Sequence, residues 1–316
     1  MAEDPPLRRV FDPEARTTMA HAPAEVALEY QIAEERPRRF WSSPRARGIL
    51  LLLPAVIVAV LFSLVPLIYL FQISLTNESS FFFEAQYTLD NYREVFGRYM
   101  PAIGETVYLA AFATIICLLF GYPFAYILIR KIRYREFVRT MMTFPLFGPL
   151  YLAFGLFYVL LPNGPIGSFF ASFGIDLSRF LFSQAAVLFS MAVFTFPFMV
   201  MNIGAALSNV DPMLEEAART LGAKPWQIFT RVLFPLSWSG IIAGFLMCFG
   251  WNLGVFAQPQ LLGSPREQSV ISLQMFYKGL VQFNYGLAAA LGVVLMIMAF
   301  AVTWISLRFS RGALGA

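Results

Sequence analysis

The sequence carries a single histidine, His21, in a polar N-terminal stretch. That scarcity excludes a histidine-built metal cluster or a histidine general base within the body of the chain. The two cysteines, Cys117 and Cys248, both fall inside apolar runs, where they read as small packing residues and imply no disulfide framework. Charged residues are 13% of the 316, about half the share of an ordinary soluble domain. A G-x-x-x-x-G-K-[ST] stretch, whose backbone would cradle phosphates, is absent as well. If ATP drives this protein, another chain hydrolyses it.

What is abundant is apolar sequence. Hydrophobic residues make up 58% of the chain and mean hydropathy is +0.65, so most of its surface is expected to meet lipid or other apolar helices. Six runs are long enough to cross a hydrocarbon layer of about 30 Å. They span about Ile49–Leu75, Thr106–Ile129, Thr140–Leu161, Ser183–Leu207, Ser237–Gln258 and Gly286–Leu307, and none of the six contains Asp or Glu. Residues 1–47 are polar and rich in Pro, Glu and Arg; they read as a largely disordered tail without the early apolar core of a signal peptide. Residues 48–316 then form one membrane domain.

Charge orients it. Arg130, Lys131, Arg133, Arg135 and Arg139 face only Glu136 in the loop after the second span, which holds that loop in the cytoplasm. Arg36, Arg38, Arg39, Arg45 and Arg47 before the first span, and Arg308 and Arg311 after the last, put both termini on the same side. The segment 76–105 is rich in acidic residues and belongs outside, as do the turn residues Pro162–Gly167 and the segment 259–285. The fold class is therefore all-α and polytopic, with six spans and cytoplasmic termini.

Between the fourth and fifth spans lies a polar interlude, residues 209–236. Asp211 and Pro212 read as a helix start. Met213, Leu214, Ala217, Ala218 and Leu221 recur at helical spacing as an apolar stripe, while Glu215, Glu216 and Arg219 take the remaining surface, Glu215 and Arg219 four residues apart. Gly222 can end that helix, Pro225 can open a second with Ile228, Phe229, Val232 and Leu233 as its own stripe, and Pro235 closes the unit. The two alanines leave a shallow surface suited to insertion into a groove on another protein. Within the spans, Trp251 and Asn252 lie between Gly250 and Gly254, a candidate hinge; Asn252, with Asn202 and Gln258, is a polar group expected to face another helix or to line a water-filled path.

Glu216, Ala217 and Ala218, then Gly222, then Val232, Phe234 and Pro235 resemble the EAA loop of permease subunits of bacterial binding-protein-dependent ABC importers, with conservative departures at Val232 and Phe234. Phe256, Pro259, Leu261, Leu262, Gly263 and Pro265, followed by Gly286, Ala288 and Ala289, resemble segments of the spermidine/putrescine-type permeases, as do Gly121–Tyr126 and Asn91–Phe96. The resemblance covers the chain from about residue 49 to the end. It implies the type I importer permease fold in the bacterial inner membrane and a role without catalysis or cofactor in this chain. ATP and Mg would be bound by a dimeric ATPase subunit, a second homologous permease would complete the path, and a periplasmic solute-binding protein would deliver solute; no nucleic acid is implied. Glu215, Glu216, Ala217, Ala218, Arg219, Leu221, Gly222 and Pro225 would couple to the ATPase, and Asn202, Trp251, Asn252, Phe256 and Gln258 would line the path. The implied solutes are small: polyamine-like molecules, amino-acid derivatives, phosphonates or iron chelates. Val255 stands where polyamine permeases carry an acidic residue and Ser264 replaces a glycine, which counts against a polycation. An ion-coupled secondary transporter would want ionisable groups in its spans, and a membrane-embedded enzyme convergent reactive side chains; the sequence favours neither.

Overall fold

The computed structural model of the chain describes residues 44–76, 87–144, 148–177, 180–264 and 269–313. The expectations for the tail up to residue 43 and for Pro265 lie outside them. The chain divides into two units, 1–66 and 67–316. In the first, the opening of helix α1 (Pro44–Ser74) presents an exposed apolar surface from Leu52 to Pro66, as a helix surrounded by acyl chains can.

The second unit takes up α1 from Leu67 and continues with α2 (Asp90–Arg98), α3 (Met100–Arg130), α4 (Arg135–Met142), α5 (Pro149–Leu160) and α6 (Pro165–Ala171). After these come α7 (Gln184–Ser208), α8 (Pro212–Thr220) and α9 (Pro225–Ile228), which runs through a π-helical turn (Phe229–Leu233) into α10 (Phe234–Leu236). The chain ends with α11 (Trp238–Leu253), α12 (Ala257–Leu262), α13 (Ile271–Phe276) with its own π-helical turn (Tyr277–Val281), and α14 (Tyr285–Ala313). Among the described residues the single β feature is a bridge between Thr76 and Tyr87. Among the described residues five segments are long and apolar enough to cross a membrane, and a sixth follows if Pro225–Leu236 and Trp238–Leu253, bent by 71°, count as one. The all-α polytopic class stands.

The core sits where α3, α7 and α11 pack together. Cys117, Ala125, Met199, Ile203 and Cys248 are fully buried there, the cysteines as the packing residues their surroundings predict. At one end of this unit, Asn91 of α2 donates to the carbonyls of Ser74 (3.0 Å) and Thr76 (2.8 Å). Gly286, at the start of α14, is pressed against the same place: a Cβ there would stand 2.6 Å from the Thr76 oxygen. Asn91 and Gly286, read in the sequence as parts of two separate motifs, meet because one closes the end of α1 and the other lets α14 approach it.

Three span boundaries and one connecting segment differ from the sequence reading. The second span begins at Met100, so Glu105 lies inside a membrane-length helix and is buried; the expectation of spans free of acidic residues fails there because proline at Pro101 starts a helix as readily as Thr106 does. The third does not run from Thr140: α4 ends at Met142, and Pro149 opens a new helix, so α5 and α6 together supply the crossing. The fifth ends at Leu253, and Phe256 and Gln258 sit in and beside the separate α12. Finally, 259–285 is no loose outer loop. Leu262, Val270, Ile271 and Leu273 are fully buried, since their apolar surface has a bundle to pack on.

Candidate coupling site and membrane path

Asp211 caps α8 as its sequence predicts: its carboxylate accepts from the Met213 N–H at 2.9 Å, with Pro212 in the first turn. Gly222 ends the helix at φ +83°, where an L side chain is strained. The Ala223 N–H then reaches back to the Ala218 carbonyl (3.0 Å) and the Gly222 N–H to that of Arg219 (2.9 Å), a Schellman-type close. Pro225 opens α9, and the Gln227 side chain accepts from the Lys224 N–H at 2.8 Å.

The face that α8 turns inward is not the one its periodicity suggests. Met213, Leu214, Ala217 and Leu221 are exposed, Leu221 at 87%, while Ala218 is half-buried against the core. Glu215, expected on the surface beside Arg219, is 6% exposed and lies instead against Arg130, the last residue of α3. Arg130 Nε and Glu215 Oε1 are 2.8 Å apart, too far out of line for a straight hydrogen bond, so the contact is charge against charge. The other carboxylate oxygen accepts from the Tyr126 hydroxyl at 3.1 Å, and Arg130 Nη2 donates to the Val210 carbonyl at 2.7 Å. A charge pair this well enclosed needs these extra bonds to offset its lost hydration. α8 is thereby clamped to the end of the second span.

Its neighbours Glu216, Arg219, Gly222 and Pro225 are exposed, as is Ala217, so the predicted coupling residues other than Glu215 and Ala218 form an outer edge. Trp226, which sequence reasoning passed over, extends that edge: it is 71% exposed and stacks on Phe229 at 5.5 Å. Beyond it, the π-helical turn and Pro235 precede the 71° bend into α11. Ser237 at the bend is fully buried, its hydroxyl 2.8 Å from that of Tyr122 on α3. A π-turn at such a joint re-aims the helix without breaking it.

The expected path residues divide. Asn202 and Trp251 share a seam of α7 and α11: Asn202 Nδ2 donates to the Phe198 carbonyl (2.8 Å) and approaches Met247 Sδ (3.5 Å), and Trp251, 52% exposed, stacks on Phe198 at 5.7 Å with its edge toward Phe194 at 5.9 Å. Asn252 points the other way, into the bundle, where its amide reaches the hydroxyls of Thr114 (3.3 Å) and Thr195 (3.5 Å). Cys117 Sγ lies 3.3 Å from the same Thr195 hydroxyl. Thr114 and Thr195 were invisible as partners in the sequence because they sit far from Asn252 along the chain. Gln258 is fully buried on α12, and Phe256 packs on Phe276 at 5.0 Å. Among the described residues no cluster of His, Cys, Asp and Glu could hold a metal ion.

Residues 117–314 match the family of binding-protein-dependent transport system inner membrane components. The chain belongs to this family. Its curated relatives include the spermidine/putrescine transport system permease protein PotB of Haemophilus influenzae, 29% identical over 259 residues, which cover 80% of this chain and 90% of that one. PotB of Escherichia coli strain K12 is 33% identical over 201 residues, 61% of this chain and 72% of its own. Among solved structures, a bacterial alginate ABC transporter in complex with an alginate-pentasaccharide-bound periplasmic protein contains a chain that superposes with a TM-score of 0.70 at 24% identity, covering 87% of this chain and 98% of that one. That likeness speaks to the fold. This permease of an ABC importer therefore carries the family's architecture on both sides of the bent joint.

Proposed function

We propose that this chain is one half of the solute path of an importer in the bacterial inner membrane, moved by an ATPase that docks on the outer edge of α8. The observation that carries this reading is the inverted amphipathic helix. A free-standing surface helix buries its apolar stripe; α8 buries a carboxylate and shows Met213, Leu214 and Leu221 to water, with Trp226 beside them. Exposed apolar groups collected at one edge mark a protein contact. Glu216 and Arg219 on the same edge would supply polar contacts, Ala217 close approach and Gly222 the bend. Because Glu215 is tied to Arg130 and the helix leads through Ser237 into α11, a push on α8 would reach spans two and five together and bias inward-open against outward-open states. ATP and Mg would reside in the docked subunit. A second permease would close the path, and a periplasmic binding protein would present solute at the opposite end, with the termini and residues 130–139 in the cytoplasm.

For the solute, the relatives named PotB support the polyamine-like class. Val255 is buried and neutral, so a cation's charge would have to be met by aromatic faces such as Trp251 or by the partner permease. The seam of Phe194, Phe198, Asn202 and Trp251 is our candidate lining for this half of the path; Asn252 is bonded inside the bundle.

Leu221→Asp tests the docking edge in the chain co-expressed with its cognate ATPase. The expected outcome is loss of ATPase co-purification with an unchanged melting temperature, and full retention of the ATPase would overturn the assignment. Screening the cognate solute-binding protein against polyamines, amino-acid derivatives, phosphonates and iron chelates fixes the solute.

A further inference from the structure

No residue of α4 is buried, and the helix carries Arg135 and Arg139 one turn apart. Between it and the ends of α3 and α7 lies a cleft of 340 Å³. Arg135, Glu136, Arg139 and Ser208 give it a polar side with one net positive charge, and Met142, Val200, Met201 and Ala205 an apolar one. Met142 is shared with a second cavity of 570 Å³ between α3 and α7, whose lining, Phe120, Phe189 and Phe196 among it, is almost wholly apolar. The two adjoin at Met142 as a furrow with Arg135, Arg139 and Glu136 at one end and apolar side chains along the rest.

We infer that this furrow seats an anionic glycerophospholipid of the leaflet facing α4, its phosphate on Arg135 and Arg139 and an acyl chain running past Met142. The charge pattern selects the occupant. A zwitterionic lipid would bring its phosphate together with its own cation, which offsets the attraction, whereas each basic side chain near a net anionic headgroup contributes about 1 kcal/mol. Arg135 has a carboxylate neighbour, Glu136, at 3.6 Å, but both are more than half exposed and such a pair is weak, so the guanidinium keeps donors for a phosphate. Arg130 is not available, being held by Glu215 and Val210. Exposed Tyr134 and Phe137 flank the arginines, as aromatic residues do at a headgroup boundary. Headgroup contacts fix the position, and each buried methylene adds about 0.8 kcal/mol of apolar transfer. The site rests on the membrane placement of the chain, not on the solute it carries.

The test is native mass spectrometry of the full chain with phosphatidylglycerol and phosphatidylcholine of identical acyl chains. The expected result is about tenfold greater retention of phosphatidylglycerol, below the roughly thirtyfold of two arginines at about 1 kcal/mol each because Glu136 offsets part of it, reduced to within about twofold in the Arg135→Gln/Arg139→Gln double variant. Ala205→Phe, which fills the furrow from an exposed position, is expected to lower retention of both lipids; Arg133→Gln, in the turn before α4 and outside the lining, is expected to change neither. Glycerol phosphate, which has the anion without the chain, should not compete. Equal retention of the two lipids by the unaltered chain would overturn the proposal. So would an equal loss in the Arg133 variant, which would reveal diffuse surface charge, or displacement of lipid by a second permease bound in the furrow.

Discussion

α4 and α8 are both short amphipathic helices reached directly from the end of a long span, and both show apolar side chains outward. They differ in what holds them. α8 is fastened from beneath by Glu215 on Arg130 and Tyr126, whereas α4 rests on half-buried Val138 and Met142, and its arginines make no comparable bond to the bundle. A helix that transmits a push must be stiffly joined to what it moves. A helix that lies on lipid needs no such joint, because the bilayer supplies its apolar contacts. On the two roles proposed above, the same residue classes, arginine beside methionine and phenylalanine or leucine, would serve two mechanical purposes, and one buried charge pair would separate them.

Removing that pair should make α8 behave like α4. Glu215→Ala leaves Arg130 enclosed without its counter-charge and is expected to cost about 2–3 kcal/mol, seen as a lowered melting temperature of the purified chain. The exchanged variant Arg130→Glu/Glu215→Arg should recover part of the loss; no recovery would mean that the pair is packing and not electrostatic in origin. Next in size is Gly222→Val. A β-branched residue at φ +83° is expected to cost about 1–2 kcal/mol and to loosen the turn after α8, lowering ATP-dependent uptake in vesicles even where the ATPase still binds. Uptake at the level of the unaltered chain would remove the turn from the mechanism.

Smaller effects sharpen the contrast. Asn252→Leu deletes two hydrogen bonds inside the bundle, and interhelical polar contacts in membranes average about 0.6 kcal/mol, so a shift of a degree or two and near-normal uptake are expected. A severe uptake defect would return Asn252 to the path. Smallest of all, Arg135→Gln and Arg139→Gln should stay within about 0.5 kcal/mol of the unaltered chain in stability, because exposed arginines on an unclamped helix support little of the fold. A large destabilisation would show that α4 is fastened after all.

Much of this organisation is legible along the chain. Asp211 with Pro212, Gly222 and Pro225 mark the helix limits of the elbow by local backbone chemistry alone, and each does in the structure what its residue type dictates. Arg130 is a different case. Its sequence context explains it fully as a positive charge retained on one side of a membrane, and nothing nearby signals that Glu215 will find it. The two long helices α1 and α7 make the same point for apolar residues. Their mean hydropathies, 2.5 and 1.9 over the spanning stretch, announce membrane helices in both, yet none of the first stretch is buried within the chain and 67% of the second is. Hydropathy reports the transfer of a side chain out of water and is blind to whether lipid or protein receives it.

The sequence by itself determined that this is a bundle of membrane helices with a proline- and glycine-bounded elbow between the fourth and fifth, because solvation and backbone constraints act on each residue where it stands. The tertiary structure alone decided that Glu215 turns inward and Leu221 outward, that α4 is separate from the third span, and that Asn252 bonds across helices. Those outcomes depend on partners far away in the chain, and a periodicity of 3.6 residues names the faces of a helix without saying which one meets them.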